Sequence, residues 1–140
     1  PLTLDREFLD RVFTRVDQSI AMAALFTAHH LKVKAIASLT ESGSTALWMS
    51  RLNCGVPIYA LTVQDTTRTR CALYRDTYPL PVHYRGRDRE ELLLEAENVL
   101  VAHGAVQEGD IIVLTIGEPI GTSGGTNTMK IVRVGEHRRS

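Results

Sequence analysis

Residues 35–51 read Ala35-Ile36-Ala37-Ser38-Leu39-Thr40-Glu41-Ser42-Gly43-Ser44-Thr45-Ala46-Leu47-Trp48-Met49-Ser50-Arg51, and the predicted architecture of the whole chain follows from them. This stretch begins with a short apolar run from Lys34 to Leu39, which is typical of a parallel strand buried on both faces. A turn of serine, threonine and glycine follows. Beyond the turn, apolar side chains recur at helical spacing, at Ala46, Leu47, Met49 and Leu52. The stretch therefore predicts a strand, a loop and a helix.

The predicted loop concentrates groups that bind phosphate. Hydroxyls of Thr40, Ser42, Ser44 and Thr45 surround Gly43, which is free to adopt positive φ. Ser44 or Thr45 is predicted to be the N-cap, because a side-chain oxygen there accepts an amide left unpaired in the first helical turn. The positive end of the helix dipole lies at the same place, and together these groups favour an anion.

A simpler interpretation of the same loop is helix capping without any ligand. The loop has no Walker lysine and no paired-glycine fingerprint. Glu41 also lies within it, and a carboxylate repels phosphate unless it turns outward. On the loop alone, capping is favoured over phosphate binding.

Composition limits the classes of partner. The chain has 140 residues and 44% hydrophobic content, which fits a single compact domain over residues 1–140. Sixteen basic and sixteen acidic side chains leave no net charge, so nucleic acid and anionic membrane surfaces are disfavoured as partners. Cys54 and Cys71 do not form a Cys-x-x-Cys pair and are expected to be reduced structural thiols.

Targeting signals are not recognisable in the sequence. No apolar run approaches the length of a membrane span and no basic-then-apolar leader is present, so we expect a cytoplasmic protein. The first residue is Pro1, and an amphipathic stretch follows directly. We therefore expect a piece of a longer polypeptide.

Helical and strand patterns alternate along the rest of the chain. Further helices are predicted at Asp5 to Thr14, Asp17 to Leu31, Thr66 to Leu73 and Glu90 to His103, and further strands at Val56 to Thr62, Leu80 to Val82, Ile111 to Thr115 and Asn127 to Val134. This order predicts an α/β protein, a three-layer α/β/α sandwich around a mostly parallel five-stranded sheet. The last strand is predicted to be an antiparallel edge strand.

A second loop is predicted to face the same pocket. The connection after the Ile111 strand is rich in glycine and hydroxyls, and its candidate binding residues are Gly121, Thr122, Ser123, Gly124 and Gly125. Ligands of such folds bind outside the carboxyl ends of the strands, where both this connection and the Thr40 to Thr45 loop begin. Their convergence favours phosphate binding over capping. A third group, Arg85, Arg87 and Arg89, is either a solvated helix start or an anion clamp.

An ordered set of motifs resembles the C-terminal domain of pyruvate kinases. The matching segments are Ala21 to Leu25 with Ala28 and Leu31, Ala35-Ile36, Thr40 to Ala46, Pro57 to Thr62, Leu73 to Arg75, Tyr78-Pro79, Gly109-Asp110 and Gly124 to Lys130. They occur in family order and cover about Ser19 to Val134. No single motif is specific, but the ordered set is.

The resemblance implies a regulatory domain without an active site. Pyruvate kinases transfer phosphoryl from phosphoenolpyruvate to ADP with magnesium and usually potassium, in a barrel and a cap domain that this chain lacks. The resemblance therefore implies no catalytic residue, metal or cofactor site here. It implies a domain that contacts its own catalytic barrel, supplies a contact of the homotetramer and binds an effector. By position, Thr40, Ser42, Gly43, Ser44 and Thr45 match the loop that grips the effector phosphate, with Glu41 inside it, and Gly121 to Gly125 match the loop over the sugar.

Differences from the family pattern indicate the class of effector. Glu41 stands where members that respond to fructose 1,6-bisphosphate can carry lysine, and an apolar residue near Leu92 replaces the arginine for a second phosphate. The spacing of Glu118 to Thr122 resembles bacterial members that respond to sugar monophosphates or nucleotide monophosphates. Two alternatives remain open, a stand-alone phosphosugar- or nucleotide-binding module and a purely structural oligomerisation domain.

Overall fold

A computed structural model of the chain describes residues 15–52, 55–83, 88–117 and 125–136. The helices are α1 (Val16–Leu31), α2 (Ser44–Leu52), α3 (Asp65–Cys71) and α4 (Arg89–His103), and the strands are β1 (Ala35–Leu39), β2 (Ile58–Thr62), β3 (Thr77–Pro81), β4 (Ile111–Gly117) and β5 (Thr126–Arg133). The helix predicted at Asp5 to Thr14 lies outside the described residues, as do Cys54, Arg85 and Arg87.

The five strands form one sheet in the order β3-β2-β1-β4-β5. The first three pairings are parallel, and β5 runs antiparallel to β4 at the edge. The strand order reverses between β1 and β4, which are direct neighbours with Ser38 opposite Thr115. This reversal opens a crevice at the carboxyl ends of β1 and β4, the usual ligand position in a doubly wound sheet.

Helices cover both faces of the sheet, as a buried parallel sheet requires. On one face, Leu93, Ala96 and Leu100 of α4 pack against Leu39 and Leu114. On the other face, α1, α2 and α3 pack against the alternate positions of the same strands, in a core that includes Leu25, Met49, Cys71, Ile36 and Val113. The predicted three-layer α/β/α sandwich with a mostly parallel sheet is confirmed.

The sheet ends in two different edge strands. β3 is five residues long and contains Pro79 and Pro81, which have no amide hydrogen to offer to another strand. β5 is eight residues long and has no proline. Within the described part of the chain, no strand pairs with its outer side. Only β5 therefore offers an edge suited to pairing with another chain.

Two local predictions need correction. The third strand is longer than the predicted Leu80 to Val82, because it pairs with β2 from Thr77 onward and tolerates its prolines at the sheet edge. The predicted N-cap at Ser44 or Thr45 is wrong, because α2 already includes both residues. Gly43 is the N-cap instead, because its carbonyl accepts the first hydrogen bond of the helix, from the Leu47 amide at 2.9 Å.

Candidate anion-binding site

The loop between β1 and α2 folds around its own hydroxyls. The Gly43 amide donates to Thr40 Oγ1 at 2.8 Å, and the Ser44 amide donates to Ser42 Oγ at 3.3 Å. Gly43 has φ +83°, as predicted for the glycine of this loop. The loop directly follows the carboxyl end of β1, so the first turn of α2 begins close to this edge of the sheet. Its amides have no acceptor within the helix, which makes this position suited to an anion.

The Gly43 backbone lies against α3. A Cβ built on Gly43 would come within 2.9 Å of Cys71 Sγ and 3.4 Å of Thr67 Cγ2. Cys71 is a free thiol with no exposed surface, and burial raises its pKa, against a smaller lowering by the Arg70 charge. The expectation of a free, structural thiol is confirmed for Cys71. The close approach means that only glycine fits the loop at position 43 without displacing α3.

Glu41 is hydrogen-bonded to Thr67 of α3 and to Gln64, the residue that precedes α3. Its carbonyl accepts from Thr67 Oγ1 at 2.6 Å, and its carboxylate accepts from Gln64 Nε2 at 3.2 Å at the protein surface. The carboxylate is therefore bonded to a side chain beyond β2 rather than to the loop hydroxyls. This is the outward orientation that an anion in the loop would require of Glu41.

On the opposite side, α1 reaches the loop through Asp17. Ser44 Oγ donates to Asp17 Oδ2 at 3.0 Å, and Ser42 Oγ lies 3.2 Å from Ser44 Oγ. Arg15 Nη2 is 2.6 Å from the same carboxylate oxygen. Residues 17 and 44 are 27 positions apart, and no local pattern connects them. The sequence pattern indicated Asp17 only as the start of a helix and did not reveal its contact with the loop.

Several buried polar atoms near this edge have no hydrogen-bond partner within residues 15–52, 55–83, 88–117 and 125–136. They are Asp17 Oδ1, Ser38 Oγ, Thr45 Oγ1 and Thr115 Oγ1. Side chains alternate along a strand, so Ser38 and Thr115 share the face of Ile36 and Val113, which is the face that α1 and α2 cover. Buried hydroxyls are nearly always satisfied in folded proteins, by protein, water or ligand. These atoms are therefore available to bind water or a ligand near the loop.

The glycine-rich connection begins and ends at the same edge. A Cβ built on Gly117 would come within 2.6 Å of the Gly125 carbonyl oxygen, so the two ends of the connection touch. Gly125 is thus placed beside the end of β4. Gly121, Thr122, Ser123 and Gly124 lie outside the described residues, and their predicted contact with the first loop stays a prediction.

The one described arginine of the Arg85, Arg87 and Arg89 group belongs to a helix start. Asp88 caps α4 by accepting from the Glu90 amide at 2.9 Å, and the Arg89 guanidinium lies 3.8 Å from the Glu90 carboxylate. At Arg89 these contacts favour the solvated helix start over the anion clamp.

A separate cavity lies between α4 and the edge strand β5. Its volume is about 360 Å³, and its lining residues are Glu90, Leu93, Leu94, Glu97, Leu114, Lys130, Ile131, Val132, Arg133 and Glu136. Residues 40–45 do not line it. An anion at the loop and a ligand in this cavity are therefore distinguishable by the residues that they perturb.

Membrane-spanning helices and metal-binding clusters are both absent from the described residues. No helix within residues 15–52, 55–83, 88–117 and 125–136 is long and apolar enough to cross a membrane. The same residues contain no group of three or more His, Cys, Asp or Glu side chains able to hold a metal ion.

Comparison with known proteins covers nearly the whole chain. Residues 18–132 match the family model described as pyruvate kinase, alpha/beta domain. "Pyruvate kinase II" of Salmonella typhimurium is 39% identical over 135 residues, which are 95% of this chain and 28% of that protein. "Pyruvate kinase" of Buchnera aphidicola subsp. Schizaphis graminum is 36% identical over the same shares.

A third relative agrees. "Pyruvate kinase" of Staphylococcus haemolyticus is 39% identical over 126 residues, 89% of this chain and 21% of that protein. The chain thus spans 21% to 28% of the length of these relatives. The match includes the loop at residues 40–45 and all the described helices and strands except the first two residues of α1 and the last residue of β5. The chain belongs to the family of the pyruvate kinase alpha/beta domain.

Proposed function

We propose that this chain is the effector-binding and subunit-contact domain of a cytoplasmic pyruvate kinase, and that residues 40–45 bind the phosphate of the effector. The observation that carries the proposal is Thr45 Oγ1, which is fully buried in the first turn of α2 and has no hydrogen-bond partner among the described residues. A phosphate oxygen at this helix start would accept from that hydroxyl and from amides of the same turn that have no acceptor within the helix.

The effector class follows from the charges around the loop. The described residues place no lysine or arginine within the loop, and Arg15 is already paired with Asp17. Amides and hydroxyls therefore supply the binding, which suits one phosphate group better than two. We propose a sugar monophosphate or a nucleotide monophosphate, with residues 121–125 closing over the rest of the ligand.

The reaction of the whole enzyme would take place elsewhere. The proposed parent transfers phosphoryl from phosphoenolpyruvate to ADP and needs magnesium and potassium. The described residues do not fit a magnesium site, because no cluster of three acidic or other ligating side chains is present among them. The domain would act on that reaction by favouring one of two quaternary states when the effector binds.

A thermal-shift panel tests the effector role. Ribose 5-phosphate, glucose 6-phosphate or AMP should stabilise the chain by about 2.7 kcal/mol at about 100 times its Kd, which raises Tm by several degrees. Fructose 1,6-bisphosphate should act more weakly. Thr45→Val, which keeps the side-chain shape, should weaken the binding of the active ligand by about tenfold or more.

The same substitution separates binding from stability. Without ligand, Thr45→Val should leave the free energy of unfolding unchanged or raise it by up to about 1 kcal/mol, because it removes a buried hydroxyl without a partner. Thr66→Val is the control, since Thr66 is an exposed residue of α3. Absence of any shift in the wild type, or an equal shift in Thr45→Val, would contradict the proposal.

A subunit-contact role is supported by the two edges of the sheet. β5 presents eight residues without proline, including Ile131, which is 48% exposed, whereas Pro79 and Pro81 interrupt β3. Two β5 edges can pair across a twofold axis without changing the fold of either chain. We propose that β5 supplies the contact between copies of this domain in the tetramer.

A further inference from the structure

Two hydroxyls of the loop, those of Ser42 and Ser44, already form hydrogen bonds within the protein. An ionised carboxylate can only accept a hydrogen bond, so the Ser44 hydroxyl must give its proton to Asp17 Oδ2, 3.0 Å away. Ser44 Oγ is then the acceptor for Ser42 Oγ at 3.2 Å. Both protons are directed toward α1. A phosphate in the loop could use these two hydroxyls only if they turned from Asp17 to the ligand.

Asp17 places a negative charge beside the start of α2. The residue is 1% exposed, and its second oxygen, Oδ1, has no hydrogen-bond partner in the described part of the chain. The nearest cation is the Arg15 guanidinium, 2.6 Å from Oδ2, on a side chain that is 49% exposed. A solvated guanidinium neutralises a buried carboxylate incompletely. The carboxylate therefore acts on the loop as an anion that is already in place.

We propose that Asp17 is a built-in competitor of the effector phosphate, which holds the Ser42 and Ser44 hydroxyls and repels a second anion, and that Arg15 sets the strength of that competition. The inference rests on the proposed function of the loop. It assigns to α1 a control over effector affinity. A ligand must displace the Ser44 hydroxyl from Asp17, and this connects occupation of the loop to the position of α1.

The position of α1 matters beyond the loop. Its buried side packs against α2, β4 and β5. Met129 of β5 and Ala21 of α1 belong to the same core. Release of the bond between Ser44 and Asp17 thus changes a contact at one end of a helix that also supports the edge strand proposed as the subunit contact.

Charge removal at Asp17 tests the proposal. Asp17→Asn keeps an oxygen for the Ser44 hydroxyl and removes the charge, so the Kd for ribose 5-phosphate and for inorganic phosphate should fall by about tenfold. Arg15→Gln leaves the carboxylate without its cation and should raise both Kd values. Asp65→Asn, at an exposed carboxylate at the start of α3, controls for a general charge effect and should leave both values nearly unchanged.

The outcomes separate this inference from the function on which it rests. Tighter binding in Asp17→Asn together with weaker binding in Arg15→Gln supports the inference. If the wild type binds and Thr45→Val does not, but Asp17→Asn binds no more tightly than the wild type, the competition is refuted and the effector site stands. If neither the wild type nor Asp17→Asn binds either probe, both proposals fail. Denaturant unfolding of each variant confirms that the fold is retained.

Discussion

Gly43→Ala is expected to lower the free energy of unfolding by about 2–4 kcal/mol and to abolish effector binding. Two effects add. Position 43 has φ +83°, where a side chain costs about 1–2 kcal/mol. The new methyl would also lie 2.9 Å from the sulfur of Cys71, which has no exposed surface.

Gly104→Ala is the matched control for this substitution. Gly104 also has φ +83°, and a Cβ built on it meets nothing within 4 Å. Its replacement should cost only the backbone part, the same about 1–2 kcal/mol as at position 43. Denaturant unfolding measures both, and Gly43→Ala with Cys71→Ala should recover part of the difference in a double-mutant cycle. Equal losses at positions 43 and 104 would show that the loop does not depend on its contact with α3.

Ile131→Glu is expected to raise the dissociation constant for self-association by about 100-fold or more, because it puts a charge within the proposed β5 contact. Tyr78→Glu is the control on the other edge, since Tyr78 is 50% exposed and Ile131 48%. Sedimentation velocity over a range of concentrations measures the effect. Both substitutions are at the surface and should change the stability of the single chain by less than about 0.5–1 kcal/mol.

Two results would contradict the β5 contact. One is a wild-type chain that stays monomeric at the highest concentration reached. The other is an equal effect of Ile131→Glu and Tyr78→Glu, which would place the contact away from the edge strand. A monomeric chain that still binds the effector would leave the loop as the functional feature of this domain.

The sequence predicted the fold well because the fold depends on local patterns. The apolar run at Ala35–Leu39 and the run at Ile111–Gly117 are buried along nearly their whole length, as continuous hydrophobicity predicts for inner parallel strands. Gly104 ends α4 in the left-handed conformation that a C-terminal glycine predicts. The strand at Thr77–Pro81 was underestimated because prolines argue against a strand wherever its position at an edge is unknown.

The candidate site was only partly predictable, because its contacts join residues that are far apart in the sequence. The positive φ of Gly43 follows from its loop, but the contacts that fix the loop come from distant segments. Thr67 reaches the Glu41 carbonyl from α3, and Asp17 reaches Ser44 from α1. The predicted cap at Ser44 was wrong, because the Ser44 hydroxyl donates to Asp17. The preceding hydroxyls of Thr40 and Ser42 accept from the amides of Gly43 and Ser44 instead. Periodicity does not encode such pairs.

Phosphate binding at the start of α2 is tested most directly by a titration of this chain with ribose 5-phosphate, or with the active ligand of the panel, followed by ¹⁵N–¹H correlation spectra. Binding at the start of α2 predicts saturable shifts of the Gly43, Ser44, Thr45 and Ala46 amides, and their loss in Thr45→Val. Saturable shifts confined to residues that line the cavity between α4 and β5, such as Leu93 and Lys130, would contradict binding at the start of α2. Absence of any saturable shift would contradict it as well.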